Sequence, residues 1–441
     1  MPRSPERRPG YRPLALNASI VNFAPMPADS NRAARSRSQL IVLGPVGFLL
    51  LLGALSAFPP VTTDIYLPAL PQLTAELHGT TAEGQTTLAA FFLGLSLGQL
   101  VYGPWSDRIG RRPILLIGVA VYLLACIGCA VVHSMWAMIA LRFIQAVGAS
   151  AAVVVASAIV RDRYDHRESA RVLSVIMLVR GLGPILAPIV GGLIVTLGGW
   201  RSIFWVLGGF GALMTASVLF ALEETRTAEV AARARSEHPL SAYLQVLKSP
   251  KTVAYVGAGC VNFGCLFAWV AGAPFLLIGA YKIAPLYFGW VFAINAAGFM
   301  IAAEINRGLL KRGGRPDAIM ALAATGAAAA AVLLLVDAVT GFGGPYGVLM
   351  PLFFVIGSLG FVSTNAQAGA LAVDPSRSGT VSAIFGAGQF ILGFFATLAG
   401  AILSRQPAIG MGVVMVACGA GAAIFSAVLA RRSDVSAHSS P

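Results

Sequence analysis

Asp64 and Arg142 are the side chains best placed to do chemistry, because each puts an ionisable group inside a long apolar run. A carboxyl in such a place can take up a proton and give it back. Burial favours its neutral form and a neighbouring guanidinium favours its charged form. Competition between the two would let a proton and another ligand exclude each other at one cavity. Arg142 is followed by Gln145, three residues on and therefore on the same helical face. An arginine within an apolar span is expensive, so it should turn inward and find a partner. Asp64 is expected to be that partner. Two alternatives stay open: Asp64 as a helix-end residue in water, and Arg142 snorkelling to the interface. Arg180 lies in a third apolar run and could line a cavity or pair with an acid.

The elements that must carry these residues follow from composition. The chain has 441 residues, of which 57% are hydrophobic and 11% charged. Soluble domains have about a quarter of their residues charged. Twelve stretches approach the roughly 20 apolar residues a transmembrane helix needs: near 40–68, 85–102, 114–132, 135–160, 170–198, 202–222, 252–278, 286–305, 317–338, 346–373, 379–403 and 407–430. The runs are continuous, unlike the alternating strands of about ten residues in a membrane β-barrel. The predicted fold class is therefore an all-α membrane protein of twelve spans.

Lys and Arg decide the sides. With the N-terminus inside, 26 of the 31 basic residues fall in cytoplasmic segments, and only Arg201, Lys282 and Arg405 fall opposite. Basic residues confined to short loops argue against a nucleic-acid partner. The predicted organisation is a disordered basic tail over 1–39, a six-helix bundle over 40–222, a polar cytoplasmic linker over 223–251, a second six-helix bundle over 252–430 and a tail over 431–441. Both termini are placed in the cytoplasm. Of the eighteen acids nearly all sit in loops or tails; the exceptions are Asp64 and Glu304, the latter near the cytoplasmic end of its span beside Arg307 and Lys311. Cys126 and Cys129 form a CxxC with no second pair or nearby His to complete a metal site. They read as small buried side chains, and no cofactor or metal is expected. Without a nucleophile–base or metal constellation, an enzyme is not expected either.

The turn Gly103-Pro-Trp-Ser-Asp107-Arg108-Ile-Gly110-Arg111-Arg112-Pro113 resembles the loop signature between helices two and three of the major facilitator superfamily, with Trp105 where a smaller aliphatic residue is usual. The resemblance implies a conformational latch made by Gly103, Asp107, Arg108, Gly110, Arg111 and Arg112. The corresponding loop of the second half, Asn306–Arg315, keeps glycine and basic residues but lacks the Asp. Arg142-Phe-Ile-Gln145-Ala-Val-Gly148 is similar to the superfamily's helix-four arginine motif. Gly183, Pro184, Pro188, Gly191 and Gly192 resemble the helix-five bend of its antiporters. Thr62-Thr-Asp64-Ile-Tyr66-Leu-Pro68, Gly199-Trp-Arg201-Ser-Ile-Phe-Trp205 and Phe267-Ala-Trp269-Val-Ala-Gly272-Ala-Pro274-Phe275 are similar to the Bcr/CflA drug-resistance branch.

This resemblance covers about residues 40–430. It implies two pseudo-symmetric six-helix bundles and a monomeric, proton-coupled antiporter of the bacterial inner membrane. The implied cargo is a small, mostly hydrophobic antimicrobial, chloramphenicol- or bicyclomycin-like. Asp64 with Arg142 would couple protons, and Tyr66, Phe143, Gln145, Arg180, Phe267 and Trp269 would line the substrate cavity. The alternative is an exporter or symporter of an amino acid, nucleoside or sugar. Such cargo calls for more Asn, Gln and His than these spans hold.

Overall fold

In lipid every backbone N–H and C=O must be satisfied within its own segment, which leaves helices as the form for these apolar runs. The computed structural model describes residues 44–236, 239–403 and 406–438, and these are helical, with no strand among them. The first span is broken. α1 (Pro45–Ser56) and α2 (Phe58–Asp64) meet at Ala57, and the chain bends there by 51°. Pro59 and Pro60 follow directly, and their missing amide donors and fixed φ explain why one predicted span becomes two pieces. A 3₁₀ turn (Leu67–Ala69) leads into α3 (Leu70–Glu76).

α4 (Thr81–Ile109) starts at a capping box in which Thr80 and Glu83 satisfy each other's backbone amides. α5 (Arg111–Val131) and α6 (Met135–Arg163) are the third and fourth spans. α7 (His166–Ala221) has 56 residues, about 84 Å of helix against a hydrocarbon core of about 30 Å. Gly199 resolves the excess: its φ of 71° and ψ of 179° break the helix into two spans joined by a tight turn. α8 (Ala228–Ser236) and α9 (Pro239–Leu247) make up much of the linker, and then come α10 (Pro250–Ala273) with a π-helical extension (Pro274–Ala280), α11 (Pro285–Lys311), α12 (Pro316–Thr340), α13 (Gly344–Val373), α14 (Ser378–Leu403) and α15 (Pro407–His438). Among the described residues ten helices are long and apolar enough to cross a bilayer, and the bent first pair adds an eleventh. The Gly199 break makes twelve. The basic tail over 1–39 lies outside the described residues, and most of the expected tail after 430 continues α15 as helix.

The packing obeys a two-fold rule. Within the first half α4 packs on α6, α5 on α6 and α5 on α7; within the second α11 packs on α13, α12 on α13 and α12 on α15. Between halves the large contacts are α4 with α14 and α11 with α7. Exchanging the halves turns the second span into the eighth and the eleventh into the fifth, so each of these interfaces maps onto the other. This is the geometry of two pseudo-symmetric six-helix bundles.

The halves close on each other at the end that carries few charges. Gln85 Nε2 reaches the Ala271 carbonyl at 3.4 Å, and the Phe275 ring lies against Gly84. Gly192 abuts the backbone of Pro285, and Gly289 that of Ile189. At the same end Glu76 accepts hydrogen bonds from Trp200 Nε1 at 2.8 Å and Arg201 Nη1 at 2.9 Å. Arg201 also stacks on Trp200, 4.1 Å from its ring centre, and donates to the Val132 carbonyl. The string after Gly199 thus fastens α3 and the end of α5 to the sixth span.

Close approach depends on a few glycines. A Cβ on Gly148 would stand 2.5 Å from the Tyr122 nitrogen and 2.6 Å from the Gly118 carbonyl oxygen, both on α5. Gly148→Leu is expected to cost about 1–3 kcal/mol or more by forcing α5 from α6. Thermal unfolding of the purified protein in detergent should show it, whereas Gly326→Ala, facing open space, should leave the midpoint unchanged.

Candidate functional site

Arg142 is fully buried in α6, two turns from the helix start. Its guanidinium lies between the rings of Tyr66 and Phe91, 4.3 Å from each centre, with Phe204 at 5.9 Å. Nη1 donates to Gln145 Oε1 at 2.5 Å, as the three-residue spacing predicts. Gln145 in turn donates to the buried Cys126 sulfur at 3.0 Å, and the Tyr66 hydroxyl is paired with Thr87 at 2.9 Å. Among the described residues Nε and Nη2 of Arg142 have no hydrogen-bond partner. Cation–π contacts are worth up to about 2 kcal/mol each when desolvated. Withdrawing a charge from water costs several kcal/mol. The cage therefore offsets part of the cost and leaves two donors that an acceptor would satisfy.

Asp64 closes α2 and is 7% exposed, which places it inside the protein rather than at a wet helix end. It is not ion-paired with Arg142, contrary to the sequence expectation. Tyr66 takes that position: it faces Arg142 from the same turn and keeps the charge by its ring rather than by a carboxylate. Among the described residues no hydrogen-bond donor reaches the Asp64 carboxyl. Thr62, two residues before it, pairs with the Tyr122 hydroxyl at 2.8 Å and is committed elsewhere.

The glycine–proline run of α7 sits against this place. Gly183 packs on Pro60, and Gly191 on the Ile65 carbonyl, one residue from Asp64. Gly192, the next residue, abuts Pro285 of the other half. Pro184 and Pro188 lie within the same helix and withhold two amide donors. This run thus joins the Asp64 turn to α11. The side chain of Arg180 lies outside the described residues.

The remaining cavity residues separate into groups. Phe267 belongs to an aromatic cluster with Phe92 at 4.4 Å and Phe390 at 5.6 Å, at the junction of α10, α4 and α14. Trp269 stacks on Phe292 at 5.1 Å, and its buried indole N–H has no partner among the described residues. Phe143 is half-buried and its carbonyl faces Gly94. No group of His, Cys, Asp or Glu among the described residues could hold a metal ion.

The basic turn is built as a network. Arg111 pairs with Asp107, with Ser106 Oγ at 2.7 Å and with Asp162 at 2.8 Å. Glu224, just past the sixth span, accepts from the backbone amides of Arg111 at 2.9 Å and Arg112 at 3.2 Å, and so caps α5. Arg226 donates to the carbonyls of Asp107 and Arg108 at the end of α4, and Arg112 to that of Leu219. Gly110 has φ 132°, and a Cβ there would lie 2.6 Å from the Glu224 carboxylate, so glycine is required twice over. Gly103 lies on α4 facing Val154. Glu224, not Asp107 of the turn itself, is the carboxylate that caps α5. The sequence reading missed Asp162, Glu224 and Arg226, whose one signal is acids standing among the arginines of the basic end. Arg111→Ala leaves Asp162 buried without its partner and should cost about 3–5 kcal/mol. Asp107→Ala, which removes a partly exposed carboxylate, should cost about 1 kcal/mol or less. Chemical unfolding of both variants in detergent checks the order.

Residues 50–397 match the family model described as Major Facilitator Superfamily. The chain is 32% identical over 372 residues to a bicyclomycin resistance protein homolog of Haemophilus influenzae, covering 84% of this chain and 93% of that one. It is 32% identical over 363 residues to a chloramphenicol resistance protein of Pseudomonas aeruginosa, covering 82% and 85%. Among solved structures it is similar to a D-xylose-proton symporter, with a TM-score of 0.68 at 14% identity, 86% of this chain and 96% of that one being covered. A bacterial homolog of the human lysosomal transporter Spinster, in an inward-facing and unoccupied conformation, gives 0.69 at 16% identity, covering 87% and 96%. These two likenesses speak for the fold alone. Twelve spans in two related bundles, the Asp107–Arg111 ion pair in the turn after the second span and the match over most of its length together make this chain a multi-pass membrane transporter of the major facilitator superfamily.

Proposed function

We propose that this protein exports small, mostly apolar antimicrobial compounds in exchange for protons, as a transporter of the Bcr/CflA type. The observation that carries the reading is the Asp64 turn: a buried carboxyl with no donor among the described residues, one residue from the carbonyl on which Gly191 packs, and next to the aromatic cage of Arg142. The two relatives, named for resistance to bicyclomycin and chloramphenicol, support the cargo class.

In this reading Asp64 loads a proton from the sparsely charged side and releases it to the basic side. An ionised carboxylate is costly in packed, apolar surroundings. Protonation therefore favours the closed arrangement around α2 and α7, and deprotonation favours one that admits water or a substrate. The two free donors of Arg142 and the indole N–H of Trp269 are the polar anchors a substrate would meet, among the rings of Tyr66, Phe92 and Phe267. A few polar points in an aromatic surround suit a compact, weakly polar molecule. The basic end faces the cytoplasm, with both termini there, in the inner membrane of a bacterium. The protein works as a monomer and performs no covalent chemistry. Its mobile units are the bundles 40–222 and 252–430, joined by the linker 223–251.

Two outcomes follow. Expression in pump-deficient bacteria should raise the inhibitory concentration of at least some compounds in a broad antimicrobial panel; unchanged susceptibility to all of them would rule out drug export. Asp64→Asn should abolish drug-triggered proton movement in inverted vesicles while the protein still reaches the membrane. Coupling that survives this change would place the proton carrier elsewhere.

A further inference from the structure

The linker carries a surface that transport leaves unused. α9 turns Val246 into the protein, and its Tyr243 hydroxyl donates to the Leu100 carbonyl of α4 at 3.4 Å. Burial, with the Asp107 charge nearby, holds the Tyr243 phenol above its ordinary pKa, so it remains a donor. α9 also packs on α10 and α14, so one face of this short helix is fixed against both halves. Beside that packed face Leu244 and Leu247 remain 52% and 49% exposed, and exposed Lys248 and Lys251 follow α9 within four residues.

Position explains why apolar and cationic side chains stand together. Pro250, three residues past Leu247, opens the seventh span, which runs to Ala280 over 31 residues. That is about 46 Å of helix, longer than the hydrocarbon core of about 30 Å. Its first turns therefore stand at the depth of the lipid headgroups, and α9, joined to them by two residues, stands there too. Val253, exposed one turn further on, continues the apolar strip towards the acyl region. Leucines in water would be a cost and lysines in hydrocarbon a larger one; at the headgroup boundary both are satisfied.

We propose that α9 with Lys248 and Lys251 is an interfacial site for anionic phospholipid in the leaflet at the arginine-rich end. Leu244 and Leu247 enter the upper acyl region, and the two ammonium groups meet the headgroup phosphates as point charges. The site depends on the depth of the seventh span and not on the cargo, so it stands or falls apart from drug export.

The test uses the full-length protein with Leu244→Cys carrying a bimane fluorophore, in a Cys418→Ala background because the other native cysteines are buried. It is reconstituted in phosphatidylcholine vesicles containing a headgroup-level spin-labelled phosphatidylglycerol or phosphatidylcholine. Both lipids are expected to quench the bimane, the anionic one several-fold more efficiently. Lys248→Gln with Lys251→Gln should abolish that preference and keep the quenching by phosphatidylcholine. No quenching by either lipid means that water or another segment of this chain covers the leucines, and the proposal fails. Equal quenching with the native lysines present overturns the recognition of the anionic headgroup. Native mass spectrometry of the unlabelled protein gives a second readout: retained phosphatidylglycerol should fall in the double lysine variant, and unchanged retention counts against the site.

Discussion

A lipid core satisfies no hydrogen bond, and nearly everything in this structure follows from that constraint. Each span closes its own backbone ladder, and where prolines or Gly199 interrupt it the chain bends or breaks. Charges are driven to the helix ends, where they form the Glu76 clamp at one face and the Arg111 network at the other. Against this background Arg142 stands out. A guanidinium in the middle of the first bundle is tolerated because two ring faces and one amide oxygen surround it. The rings supply electrostatic attraction without carrying a formal charge, so Asp64 is not consumed in neutralising the arginine.

The two bundles share a packing scheme but not a chemistry. The first holds the buried acid and base and the ionic latch. In the second, Asn306 and Asn365 exchange amide hydrogen bonds within the span region, and Asn262 donates to Ser358. Neutral amide pairs tie helices together without a titratable group. The loop that echoes the latch has Glu304 and Arg307 paired in the open. The buried ionisable pair is thus confined to the first bundle, and the second contributes Phe267, Phe292 and Phe390 as aromatic packing.

The basic turn and the linker are tied together. Glu224 caps α5 and Arg226 holds the end of α4, so the segment that leaves the first bundle is fastened to the turn between its second and third spans. From there the linker runs to α9, which touches α4 through Tyr243 and packs on the second bundle. The linker therefore touches both bundles on its way from one to the other.

The sequence by itself determined the membrane setting, the number of spans, the charged turn after the second span and the helical face that Arg142 shares with Gln145. These depend on local composition, on charge position and on a helical repeat of 3.6 residues, all of which read along one chain. Only the tertiary structure decided what surrounds those residues. Tyr66 and Phe91 as the faces that hold Arg142, Glu224 rather than Asp107 as the cap of α5, and Gly191 against the Asp64 turn all join residues far apart in sequence. Their partners are chosen by how helices cross, and a crossing is set by where two glycines permit backbones to touch, which no single span encodes.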